Sequence, residues 1–295
     1  SRYNISIINK LRDGCVDYFT LSEDQITAFC QHLCQQERAP GTLEKYLRDL
    51  RAFSCWLSGK PVTKEAVTQW KAYLSDHYAP STVNSMLAAL NGLFRFLGWN
   101  AYCVRFLKLQ RRLFRDQSKE LTHADYSRLV ATAQELGQER LALLMETICS
   151  TGIRVSEVPY ITVDAARNGQ ARITLKGKIR EILLPAKLCR KLIKYAKKHK
   201  IASGEIFLTR SGKSLSRRQI WAEMKRLCKL AGIDAAKVYP HNLRHLFAVT
   251  FYQACRDIAK LADVLGHSSI ETTRIYLLTT GAEHLQQLNR LGLVT

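Results

Sequence analysis

No run of this sequence approaches twenty uninterrupted apolar residues, and its first positions are polar and charged where a signal peptide would hold its apolar segment. That leaves no candidate for a membrane-spanning helix or a secretory leader and predicts a soluble, cytoplasmic chain. CxxC pairs are missing too. The nine cysteines are an odd number scattered largely through apolar helical runs, among them Cys30, Cys34, Cys149, Cys228 and Cys255. This argues against a disulfide framework or a zinc site and for small buried hydrophobes in a reducing compartment. There is no GxxxxGK(S/T) phosphate loop and no carboxylate cluster, so NTPase and metal-dependent nuclease mechanisms have no support, and neither cofactor nor metal is expected.

Acidic residues are also scarce. Twenty-five Asp and Glu face 45 Lys and Arg, a net charge of +20 over 295 residues. This exceeds what solubility requires and points to a polyanionic partner. Residues 1 to 117 carry +6 and residues 118 to 295 carry +14, so nucleic acid is expected on both parts and more heavily on the second. A membrane-surface protein fits less well, because no helix combines a basic face with exposed Trp or Phe.

The length suits two domains. From Leu21 the pattern is helical. Ser22 is the expected N-cap of a first helix with Ile26, Phe29 and Leu33 on its apolar face. Pro40 and Gly41 end it, and Thr42 is read as the cap of a second, whose stripe runs from Leu43 to Leu57. Thr63 starts a third helix, and Pro80 with Ser81 a fourth. Apolar faces on all four predict a compact four-helix unit. The basic stretch KLQRRLFRDQSKE, with Lys108, Arg111, Arg112, Arg115 and Lys119, has no apolar period and reads as an interdomain linker whose charges suit phosphates. The expected boundaries are 1–107, 108–120 and 121–295.

In the second part Thr122 caps a helix, and a strongly apolar helix then ends at Ser150, Thr151 and Gly152, with Arg154 at the next turn and Glu157 three residues on, placed to orient it or simply pair with it. ARITL and IREILLP read as strands joined by Lys176, Gly177 and Lys178 in a tight turn, with EIFL (205–208) as a possible third. The basic run 187–200 and the cluster Arg210, Lys213, Arg217 and Arg218 are either solvated faces or phosphate contacts, which position without specifying. Between Tyr239 and Tyr276, Pro240 suits a helix start, His241 and Arg244 share one turn, Gly266 ends a later helix just before His267, and Ser268 and Ser269 offer a cap before Tyr276.

TGIRVSE (151–157) together with Arg154, His241, Leu243, Arg244, His267 and Tyr276 resembles the tyrosine recombinase (phage integrase) family in residue type, order and approximate spacing over about 120 residues. The resemblance covers roughly residues 21 to 280. It implies a mainly α fold: an N-terminal four-helix core-binding domain and an α+β catalytic domain with a small antiparallel sheet, closing as a clamp round duplex DNA. It implies that Lys176 on the hairpin turn reaches the active site, with Lys178 as its rival. It also implies that Thr42, Lys45, Arg48, Ser81, Asn84 and Arg95 on the second and fourth helices face DNA. Lys108, Arg111, Arg112, Arg115, Lys178, Arg210, Arg217 and Arg218 complete the expected contacts. Four subunits would act on two sites through a four-way junction, with Leu285, Leu288 and Leu291 of a tail helix docking on a neighbouring subunit or, alternatively, packing on their own domain. The small room before Leu21 favours the simpler members that lack an arm-binding domain. Pro159 and the stretch VDAARNGQA depart from the commoner Leu-rich version.

The chemistry suits these residue types. Arginine forks can grip the non-bridging oxygens of a phosphodiester and stay charged, histidines can donate hydrogen bonds or move protons near neutrality, and a tyrosine ester of phosphorus retains the energy of the broken bond. A lysine reaching in from the hairpin can protonate the leaving 5′ oxygen. Two rivals remain: a relaxing enzyme like the type IB topoisomerases, which would act on any supercoiled plasmid, and a DNA-binding relative that does not cut.

Overall fold

The computed structural model describes residues 19–109, 117–175, 178–278 and 281–291. The chain divides into two compact units, Ser1–Arg111 and Arg112–Thr295. The stretch 108–120 spans this division. Arg111, Arg112 and Arg115 lie outside the described residues, as does Lys176.

The first unit is built from α1 (Glu23–Gln35), α2 (Pro40–Leu57), α3 (Lys64–His77) and α4 (Pro80–Phe96). Ser22 caps α1 in a full capping box with Gln25, and Thr63 caps α3 through the Ala66 amide, so helix donors left unpaired by geometry find oxygen partners. The second helix departs from expectation. It starts at Pro40 with Ala39 as N-cap, and Thr42 lies inside it. Proline has no N–H to leave unsatisfied in the first turn and its φ is already helical, so the pair expected to break one helix opens the next. The four helices close on an aromatic core: the Phe53 ring lies 5.6 Å from that of Trp70 and 6.3 Å, edge on, from Phe94. The segment after α4 is pinned by side chains. Asn91 pairs with both backbone groups of Val104 (2.8 and 3.0 Å), and Asn84 pairs with those of Leu107 (2.9 and 2.7 Å).

The second unit contains α5 (His123–Glu135), α6 (Glu139–Thr151), a 3₁₀ helix (Val155–Tyr160), α7 (Val163–Asn168), strands β1 (Gln170–Leu175) and β2 (Lys178–Leu183), and α8 (Ala186–Lys198). It continues with α9 (Arg217–Leu230), α10 (Pro240–Cys255), α11 (Ile258–Leu265), α12 (Ile270–Thr273), a 3₁₀ turn (Arg274–Leu277) and α13 (Gly281–Arg290). Helix α6 is buried along most of its length, packs on α5 and α10, and carries the unit's core. The strands pair antiparallel with Leu175 opposite Lys178 and Gln170 opposite Leu183. Among the described residues no third strand joins them. Glu205 and Leu208 instead form isolated bridges, to Thr162 and Ser214. The EIFL run is held by Ile206 and Phe207, both buried in the helical core, so burial rather than sheet pairing accounts for its apolar character. Among the described residues no helix is long and apolar enough to cross a membrane.

Candidate active site

Two helix ends, each closed by a glycine, form the base of the site. Helix α6 ends at Gly152, whose φ of +66° is left-handed, and a Cβ there would stand 2.4 Å from Cδ1 of Phe247. Conformation and space both demand glycine. The buried Ile153 then fixes the chain, and Arg154 begins the 3₁₀ helix. Helix α11 ends the same way at Gly266, with φ +62°, and the His267 amide donates back to the Ala262 carbonyl (2.9 Å). The imidazole of His267 is thereby presented from a closed turn.

Arg244 bridges these ends. It is 2% exposed and sits one helical turn beyond His241. One Nη donates to the Gly152 carbonyl; the other donates to the Leu265 carbonyl (2.8 Å) and lies 3.1 Å from Nε2 of His267. The C-terminal carbonyls of two helices, the negative ends of their dipoles, thus solvate a buried cation. Burial first, then the neighbouring Arg154, lowers its pKa to about 10, which leaves it charged at neutral pH.

Because a guanidinium only donates, Nε2 of His267 is the acceptor, and its proton resides on Nδ1, 2.9 Å from the Thr273 hydroxyl. This tautomer follows from the hydrogen bonds. Burial and the field of Arg244 push the His267 pKa down to about 4, and burial followed by Arg244, Arg154 and Arg217 lowers that of His241, so both imidazoles are neutral near pH 7. Tyr276 packs flat on the His267 ring, with centroids 6.1 Å apart and planes 11° apart, and tilts against His245 at 5.0 Å. It is 3% exposed and rests on Ala248, Leu261 and Leu265.

Arg154 differs in being 41% exposed at its side chain. Its guanidinium donates to Oε1 of Glu157 (3.0 Å), and its amide donates to Oε2 (2.7 Å). Glu157 is buried and also accepts from Arg180 (2.6 Å).

The structure therefore gathers Arg154, His241, Arg244, His267 and Tyr276 within one unit. Lys178 opens β2, two positions beyond Lys176 in sequence. Arg217 lies close enough to affect His241 and is exposed, as are Arg210 and Arg218. In the first unit Arg48, Ser81, Arg95 and Lys108 are exposed and Thr42 is half-buried. Lys45 pairs with the buried Asp49, which Arg48 also approaches at 3.5 Å. The amide of Asn84 is engaged by Leu107. Among the described residues no three His, Cys, Asp or Glu are grouped to hold a metal.

Arg180 and Thr273 were not singled out from sequence. A signal for the first exists: strand alternation puts Arg180 on the same face as the buried Ile182 and Leu184, a charge where an apolar residue belongs.

Residues 119–282 match the Phage integrase family and residues 26–101 the phage integrase N-terminal SAM-like domain, and the chain belongs to that family. The tyrosine recombinase XerD of Xanthomonas campestris pv. campestris is 30% identical over 290 residues, covering 86% of this chain and 87% of that protein. XerA of Pyrococcus furiosus is 27% identical over 278 residues, covering 91% and 93%. The Tn1549 transposon integrase in complex with a circular intermediate DNA shares the fold with a TM-score of 0.72 at 15% identity, over 90% of this chain and 99% of that one. A lambda integrase tetramer bound to a Holliday junction gives 0.71 at 18%, over 88% and 77%. The protein is a site-specific recombinase of the tyrosine type.

Proposed function

We propose that Tyr276 cleaves one strand of a duplex recombination site. Its phenolic oxygen bonds to the scissile phosphorus as the bond from phosphorus to the 5′ oxygen breaks, leaving a covalent 3′-phosphotyrosyl ester and a 5′ hydroxyl. A free 5′ hydroxyl, from the same or a partner strand, reverses the step, so rejoining needs no ATP. Arg154 and Arg244 hold the non-bridging oxygens against the charge of the five-coordinate transition state. His241, neutral near pH 7, is in the form that can take the phenol proton, while His267, whose Nε2 accepts from Arg244, holds that guanidinium in place. Lys176, outside the described residues, supplies the proton to the leaving oxygen.

The observation that carries this reading is the chain of contacts from Arg244 to His267 to the Tyr276 ring. Since Tyr276 is covered, the turn Arg274–Leu277 must move before its oxygen meets a phosphate. The exposed arginines of α9 and the basic residues of α2 and α4 contact the DNA backbone, with residues 1–107 as core-binding domain, 108–120 as linker and 121–295 as catalytic domain. Four copies assemble on two sites and exchange strands through a Holliday junction, in the cytoplasm at the nucleoid. Leu285 and Leu288 on α13 and Leu291 just beyond its end, at 59, 50 and 60% exposed, offer apolar surface that fits docking on a neighbouring subunit better than packing at home.

The test is incubation with nicked duplexes carrying candidate sites, followed by a denaturing gel. A protein–DNA adduct that forms with the wild type and vanishes in Tyr276→Phe is the expected result. An adduct that persists in the variant removes Tyr276 from the role, and an adduct without site preference moves the reading to topoisomerase-like relaxation.

A further inference from the structure

Arg180 occupies a position that strand geometry reserves for an apolar side chain. Along β2, Ile179 and Leu183 point to solvent, at 60 and 77% exposed, while Ile182 and Leu184 are buried on the other face. Arg180 shares that inner face, and its side chain is only 15% exposed. One Nη donates to Oε2 of Glu157 (2.6 Å) and the other to the Val264 carbonyl (3.0 Å) in the last turn of α11. The next carbonyl, Leu265, receives Arg244, and the following residue is Gly266. A Cβ on Gly266 would stand 2.6 Å from Cδ of Arg180, so the arginine side chain lies against this backbone as closely as glycine allows.

A single guanidinium thus joins three things: the carboxylate that holds Arg154, the turn that presents His267, and the strand that begins two residues earlier at Lys178. We propose that Arg180 is a positioning residue for strand cleavage, keeping Arg154 and His267 in register with each other and with the hairpin. The inference rests on the reading of the site given above.

Stability alone gives no reason for this residue. Glu157 already has Arg154 as a partner, Arg180 Nε is buried with no partner among the described residues, and burial lowers the Arg180 pKa despite Glu157. A buried ion pair is often no more stabilising than an apolar pair of the same volume. What the guanidinium supplies is two directed donors at a fixed angle, one for each element it ties.

The discriminating variants are Arg180→Met, which fills the volume without donors, and Arg180→Lys, which keeps the charge but offers a point donor where two separate acceptors need a fork. For Arg180→Met we expect a melting temperature lowered by no more than a few degrees and adduct formation, per folded molecule, slowed about ten- to a hundredfold, the scale of a small misplacement of catalytic groups. Duplex affinity should change by less than about twofold, because no phosphate contact is removed. Arg180→Lys should fall between the two. The acid limb of the rate profile should move to higher pH in Arg180→Met, because a loosened His267 turn returns the imidazole toward its ordinary titration. The proposal is overturned if Arg180→Met cleaves at the wild-type rate with the same acid limb, or if the rate losses of both variants simply follow their losses in melting temperature. NMR titration of His267 in the DNA-free protein gives a readout independent of cleavage. A shift between wild type and Arg180→Met supports the positioning role even if Tyr276 is not the nucleophile; superimposable titrations reject it.

Discussion

In the first unit the buried side chains are almost all apolar and many are aromatic; of the polar ones, Asn91 holds backbone and Asp49 pairs with the partly exposed Lys45. The second unit has a larger apolar core but also takes Glu157 and Arg244 below 4% exposure and most of Arg180. Burying charge is expensive unless every donor and acceptor is met, so the second unit spends stability where the first accumulates it. The difference separates a domain whose interior could be repacked with other hydrophobes from one whose interior is part of its chemistry.

The sharpest way to break this comparison is to remove the two arginines separately. Arg244→Ala should slow adduct formation by about a hundred- to a thousandfold, the usual cost of losing one donor to a developing charge. It should also destabilise the protein by about 1–3 kcal/mol for each buried carbonyl left without its donor. Arg154→Ala should give a similar rate loss, but with its side chain 41% exposed and Glu157 still paired to Arg180, the stability change should stay below about 1 kcal/mol. Equal melting temperatures for the two would contradict the picture of one seated and one presented arginine.

Phe53→Ala offers the opposite case. A fully buried ring at the centre of the first unit should cost about 3–5 kcal/mol in a denaturant titration. The cleavage rate per folded molecule at saturating duplex should be unchanged. A smaller effect concerns pH. Because the unfolded His267 ring takes a proton near pH 6.5 while the native ring resists until about 4, the native state should lose stability as pH falls through that window and be unaffected above it. Melting curves of His267→Gln should show a shallower decline than wild type between those values. Smallest is Ser22→Ala, which deletes one end of a surface capping box and should cost about 1 kcal/mol without touching adduct formation.

The same contrast explains what could be read from sequence. Helix starts at Ser22, Thr63 and Thr122 were legible because an oxygen-bearing cap before an apolar period is a local signal. The start of α2 was misjudged by treating Pro40 as a breaker, when the same residue is welcome in a first turn. The hairpin was visible from its β-branched residues, whereas the EIFL run, equally apolar, packs against helices instead, a choice that depends on distant partners. In the site, residue order and spacing brought forward the arginines, histidines and tyrosine. The connections among them were not legible: Arg180 to Val264 spans 84 positions and Arg244 to Gly152 spans 92. Nor did the sequence indicate that Tyr276 would be covered, since its neighbours Ala248 and Leu261 come from other helices.

Among the described residues Arg244 has two peptide oxygens and an imidazole nitrogen, all formally neutral, as hydrogen-bond partners, and no carboxylate pairs with it. An oxyanion that reaches this guanidinium has no directly paired acid to evict, since the buried Glu157 acts on it only through the field. Small tetrahedral anions such as vanadate or sulfate should accordingly compete for the site, and a phosphate group leaving it would restore the peptide seat without any proton or counter-ion having to follow.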